Sequence, residues 1–263
     1  MAIKYTIQGF LLYGAAALYL LAFLITITRK PKTGQVVYFL GFITVVTAFG
    51  YRWAEARHVP MQTMFEVFLC LGMIYPISVF CRKFLQVGLE AADMILGVII
   101  LFPAGFIFPA APRNLPPALQ SWIFIPHVAV YMLAYIILAK AAVQALFQLC
   151  RSNGPADPQL VDYERATYRM VCLGFPLLSL GLLLGCYWGK QAWGDFWHWD
   201  PKELWSFVSW LVFLGYFHFR SMHGRKHPRI NSVWALAGLA AIIITLLWAN
   251  LSRLFTGMHN YAA

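Results

Sequence analysis

The sequence predicts an all-α, polytopic integral membrane protein, a helical bundle of about eight transmembrane helices. Three observations lead there. Of 263 residues, 61% are hydrophobic and 11% charged, with mean hydropathy +0.66, whereas soluble domains carry about 25% charged residues. The apolar residues gather into eight runs, each near the ~20 residues that cross a bilayer as a helix. No run alternates with period two, which excludes a transmembrane β-barrel.

The runs cover residues 7–28, 36–51, 64–81, 91–108, 123–149, 170–188, 204–219 and 233–251. The first follows Lys4 and precedes Arg29-Lys30-Pro31-Lys32. No A-x-A-like site follows it, so it reads as a retained span and not a cleaved signal. The second and seventh are short. The fourth contains Pro103 and Gly105, which predict an early end. The fifth opens on Pro126-His127. Residues 151–169 form the longest polar connection, and Gly154, Pro155 and Pro158 mark it as a linker. With no internal repeat and no low-complexity tract, residues 1–263 are expected to form one membrane domain.

Basic residues set the expected orientation. With the N-terminus outside, the inner side holds Arg29, Lys30, Lys32, Arg82, Lys83, Lys140, Arg151, Arg165, Arg169, Arg220, Arg225, Lys226 and Arg229. The outer side holds Lys4, Arg52, Arg57, Arg113, Lys190, Lys202 and Arg253. The positive-inside rule therefore favours N-out and C-out. The excess of Lys and Arg, 20 against 10 acidic residues, has this topological explanation. No basic stripe interleaved with aromatics points to nucleic acid.

Residues 185–210 hold the most informative stretch. It reads GCYWGKQAWGDFWHWDPKELWSFVSW and contains six of the ten tryptophans. Interfacial tryptophans ordinarily spread over many helix ends as a belt; here they concentrate in one loop and the start of one helix. Asp200, Pro201 and Glu203 fit N-cap, N1 and N3, a capping box that opens the seventh helix. On eight crossings, His127, the tryptophan stretch and His259 fall on the same membrane face. Two imidazoles beside an apolar aromatic platform suit a bis-histidine haem. The residues alone leave two readings open: surface histidines beside an aromatic belt, and a haem platform. His223 and His227 read as solvated residues of a basic inner loop. The five cysteines form no C-x-x-C and no C-x-x-C-H segment, so the chain is not itself a c-type cytochrome.

Residues 185–203 resemble the tryptophan-rich "WWD" signature of the CcsA/ResC family of the system II cytochrome c maturation pathway. The similarity continues through Trp205, Trp210 and residues 216–220. It is supported by Pro60 to Glu66, by Pro126-His127 and by residues 257–261. The resemblance implies that Trp188, Trp193, Gly194, Trp197, Trp199, Asp200 and Trp205 embrace haem b at the outer face. It implies that His127 and His259 ligate the haem iron there. His218 corresponds to a third histidine that holds haem within the membrane, together with a histidine of a partner protein. Glu66 occupies a family-typical position without an assigned role, and His198 a variable one.

The implied activity is that of a membrane subunit of a cytochrome c synthase (a haem lyase), with a CcsB/ResB-like membrane partner in trans. Apocytochromes bearing C-x-x-C-H are the implied clients, with thiol-reducing proteins and membrane lipid as further partners. No general acid or base is assigned. The expected location is a bacterial plasma membrane with the site on the outer face, a thylakoid membrane being the other setting. A haem transporter without chemistry, and an electron-transfer subunit, are the competing classes. A reporter fused after residue 263 is expected to report the outer side; a cytoplasmic signal would overturn the N-out, C-out orientation.

Overall fold

The computed structural model describes residues 3–151 and 157–248; His259 lies outside the described residues. The described chain is helical, with no strand. The helices are α1 (Ile7–Ile27), α2 (Pro31–Ala56), α3 (Met64–Leu71), α4 (Tyr75–Leu85), α5 (Glu90–Phe106), α6 (Phe124–Cys150), α7 (Tyr163–Trp193), α8 (Pro201–His223) and α9 (Pro228–Ile243), which widens into a π turn over Ile244–Trp248. Each apolar run falls on a helix, with α3 and α4 sharing the third. By length and composition six segments suffice to cross a membrane: α1, α2, α3 with α4, α6, α7 and α9 with its π turn. Of the other two, α5 has only 17 residues, and α8 carries Lys202, Glu203 and Arg220 near its ends.

The chain gathers into two compact units. One holds the chain up to Phe80 together with Leu89–Leu115; the other holds Cys81–Gly88 and the chain from Pro116 onward.

In the first unit, the break between α3 and α4 has a clear cause. Pro76 has no N–H to give the Gly72 carbonyl four residues earlier. The buried Tyr19 hydroxyl donates to that carbonyl instead, at 2.9 Å. Tyr19 reaches it because Gly41 and Gly97 leave room beside its ring, where an added Cβ would fall within 2.5 and 2.6 Å. Near the far end of α2, buried Arg52 pairs with buried Glu66 at 2.9 Å. Arg52 also donates to the carbonyls of Ala110 and Ala111. The second Glu66 oxygen accepts from the Gln62 and Thr63 N–H groups, closing a capping box on α3. Glu66 thus ties a helix start to a buried cation. Arg52, counted among the outer loop charges, belongs instead to the interior.

Lys140 needs the same correction: it is buried in α6, not in an inner loop. Its ammonium donates to the Gly88 carbonyl at 3.1 Å, beside Gln144 at 2.9 Å. Arg169 donates to the Leu85 carbonyl and to Gln86 Oε1. Cationic and amide side chains from α6 and α7 therefore satisfy the carbonyls at and beyond the C-terminus of α4, where the helix dipole also favours positive charge. This bonding attaches Cys81–Gly88 to the second unit.

In that unit α6 and α7 approach closely along a glycine seam: Gly174, Gly181 and Gly185 face Leu138, Tyr131 and His127. α7 and α8 meet through larger side chains. Trp210 stacks on Phe175 at 5.5 Å and donates to Ser179 Oγ at 2.8 Å. At the opposite end of α7 from the tryptophan stretch, buried Glu164 receives two bonds from Arg220, one from Arg225 and one from Asn231, all within 3.1 Å. One carboxylate thereby joins α7, α8, the turn after it and α9.

Replacing Tyr19 with Phe strands the Gly72 carbonyl in an apolar interior. The expected cost is about 1–3 kcal/mol, read as a lowered melting temperature of the detergent-solubilised protein; an unchanged melt would refute this role.

Candidate functional site

The site grows from the first turn of α6. Pro126 lacks only an N–H that the first turn leaves unused anyway, and the next residue, His127, faces the glycine seam. Its Nδ1 lies 2.9 Å from the Gly181 carbonyl oxygen. A carbonyl can only accept, so Nδ1 carries a proton, and the tautomer of the uncharged ring is the one with its lone pair on Nε2. A backbone carbonyl that accepts from the other ring nitrogen sets the tautomer of metal-binding histidines in this way. Gly185 makes the approach possible: a Cβ there would fall 2.6 Å from His127 Cε1.

Trp188 backs this imidazole. The rings stack at 5.9 Å with 16° between planes. Trp188 is 1% exposed, and its Nε1–H donates to the Ala118 carbonyl at 2.9 Å. Phe124 and Trp193 enclose it further, the latter edge-on at 4.7 Å. His198 then meets Trp193 edge-on at 6.2 Å. A continuous aromatic row thus runs from His127 through Trp188 and Trp193 to His198.

α7 ends at Gly194, whose φ of +94° closes the helix in the left-handed conformation. The following loop is held by Glu203. One carboxylate oxygen accepts from the His198 N–H at 2.8 Å and from the Asp200 N–H at 3.2 Å. These bonds bracket Trp199, which has φ +57° and is 67% exposed. A bulky residue rarely adopts that backbone unless its surroundings impose it; here the clamp holds it and turns the indole outward. Asp200 is buried and caps α8 by accepting from the Lys202 N–H at 2.9 Å. The capping box anticipated from Asp200-Pro201-x-Glu203 is present. Desolvation pulls the Lys202 ammonium down to about 8, countered by the Asp200 carboxylate.

The remaining signature residues join other groups. Trp197 meets Trp199 at 5.8 Å and Phe207 at 6.2 Å, and its indole N–H is buried without a hydrogen-bond partner among the described residues. Trp205 packs against Trp248 on the π turn. His218 is exposed on α8, in a stripe with Leu211, Leu214 and Met222. His223 and His227 meet at 5.5 Å, with His223 stacked on Phe219 at 4.4 Å, and His227 is exposed between α8 and α9. Sequence reasoning missed Gly181 and Gly185, though their spacing of four on a helix was a usable signal. The five cysteines are free thiols. Among the described residues no group of three or more His, Cys, Asp or Glu side chains converges as a bare metal ion would require.

The architecture is that of an all-α polytopic membrane protein with a histidine set against a tryptophan-rich loop. The family model of the cytochrome C assembly protein matches residues 6–256, and the chain belongs to that family. It is similar to cytochrome c biogenesis proteins CcsA. The Guillardia theta relative is 28% identical, over 84% of this chain and 83% of its own length. That of Prochlorococcus marinus is 29% identical over 80% and 78%, and that of Crocosphaera subtropica 26% over 97% and 98%.

A methyl group at 185 must push His127 off the seam. Gly185→Ala is expected to destabilise the protein by about 1–3 kcal/mol, and to cost much less in a His127→Ala background. Thermal melts of the four-member cycle measure this coupling; strict additivity would show that the two residues do not meet.

Proposed function

We propose that this chain serves cytochrome c biogenesis by carrying haem b and presenting it for covalent attachment to apocytochromes c. Family membership supports the role. The single observation that supports haem as cargo is His127, with its proton fixed on Nδ1 and its face on Trp188. Porphyrin supplies four nitrogen donors to its iron, so an axial imidazole or two complete the shell, which a site with few converging ligands can offer.

In this reading His127 and His259 are the axial ligands, on the outer face of an N-out, C-out bundle. Trp193, Trp197 and Trp199 cover the ring, and Trp188, being enclosed, supports His127. Gly194 and Asp200 set the path of the loop, and Trp205 anchors it on α9. The α8 N-terminus and Lys202 favour a propionate. His218 takes haem on the exposed stripe of α8, with a partner histidine completing the pair. That partner is a CcsB/ResB-like protein in the same bacterial inner membrane.

Attachment adds each client thiol across a haem vinyl group. A sulfur–carbon bond forms, the thiol hydrogen passes to the terminal vinyl carbon, and no net electrons are exchanged. The thiols belong to the C-x-x-C-H client. What this chain supplies is placement: the iron held by imidazole, and the ring held against the loop.

His127→Gly and His259→Gly are each expected to lose most of the haem absorption of the purified protein, and added imidazole is expected to restore it. Unchanged spectra in both variants would sink the ligand assignment. Coexpression with the partner and a C-x-x-C-H apocytochrome separates a synthase subunit from a carrier, since only the former yields covalent haem.

A further inference from the structure

Beside the His127 site, the segment leading into α6 and the last turns of α7 border a cavity of about 470 Å³ that is open to the surface. Its walls include Pro117, Ala118, Gln120, Ser121, Trp122 and Gln191. The Ser121 hydroxyl donates to Gln191 Oε1 at 2.8 Å, which fixes the orientation of that carboxamide and joins the two walls. Trp122 is 71% exposed. The cavity is coupled to the site by one side chain: the Ala118 carbonyl in its wall accepts from Trp188, and Trp188 stacks on His127.

We propose that this cavity binds an extended, uncharged stretch of the client polypeptide adjoining its cysteine-bearing segment. The proposal deepens the function above and rests on it. The chemistry of the lining selects the occupant. Among the described residues no charged side chain lines the cavity. A propionate, lipid phosphate or acidic peptide calls for Arg or Lys in such a place. Gln120, Ser121 and Gln191 are instead neutral groups that both donate and accept, as a peptide unit does. Trp122 and Pro117 offer apolar surface to a neighbouring side chain, and an exposed indole is a frequent anchor in protein recognition. A chain held here lies against the segment whose Ala118 carbonyl Trp188 bonds, one indole away from His127.

The test uses the full chain in its membrane, with p-benzoylphenylalanine in place of Trp122 and a coexpressed C-x-x-C-H apocytochrome. Irradiation is expected to yield an adduct with the apocytochrome, reduced at least several-fold when Gln120 and Gln191 are both changed to Ala. Trp122→Ala is expected to keep the bound-haem spectrum while lowering the yield of covalent cytochrome several-fold, with Trp122→Phe retaining much of it. Adducts confined to lipid or to a second copy of the chain would overturn the proposal, as would an undiminished yield with Trp122→Ala. Crosslinking needs no haem. A haem spectrum that does not depend on His127, with the adduct intact, therefore counts against the haem reading alone, and absence of the adduct with a His127-dependent spectrum present counts against this inference alone.

Discussion

The contact between His127 and the backbone of α7 is the constraint on which the site depends. It requires the absence of a side chain at 185 and a carbonyl at 181, both supplied by glycine. It brings α6 against the last turns of α7, where Trp188 stacks on the same imidazole. The loop carrying the other tryptophans starts from the C-terminus of that helix. A single close approach therefore orients the imidazole, fixes its tautomer and positions the origin of the loop. Aromatic residues alone would not do this, because large rings hold helices apart, as Phe175 and Trp210 do between α7 and α8.

Glu203 does for the far end of the loop what His127 does for its root. A capping box ordinarily needs one bond from the N3 carboxylate to the N-cap. Here the same oxygen also takes the N–H of His198, and the two bonds span Trp199. The carboxylate starts a helix and holds a strained, outward-facing indole. Its two bonds both go to backbone N–H groups of the loop, so what it does in the structure is placement.

Several buried or half-buried charges act alike, each satisfying backbone or charge at a helix end. Arg52 and Glu66 tie the start of α3 to α2, Lys140 and Arg169 finish α4, and Glu164 gathers the arginines of α8 and the turn after it. In an apolar surround, an unsatisfied carbonyl or unpaired charge costs several kcal/mol. Charge at these positions is therefore structural, which explains why counting Arg52 and Lys140 as loop residues misplaced them. Arg52 lies near the end of α2 and Lys140 well inside α6, and composition cannot tell a snorkelling cation from an inward-pointing one.

The sequence by itself determined the helical membrane class, the order of the helices, the tryptophan-rich stretch and the Asp200–Glu203 cap. These are local properties, set by runs of apolar residues and by spacings within one turn. Only the tertiary structure decided which tryptophans share a surface. Trp188 and Trp193 join His127, Trp197 and Trp199 form a second group, and Trp205 turns to Trp248. It also decided the proton on His127, the partner of Glu66 and the burial of Lys140. Each depends on a backbone carbonyl or charge distant in the chain, and no periodicity within a helix records what another helix will place against it.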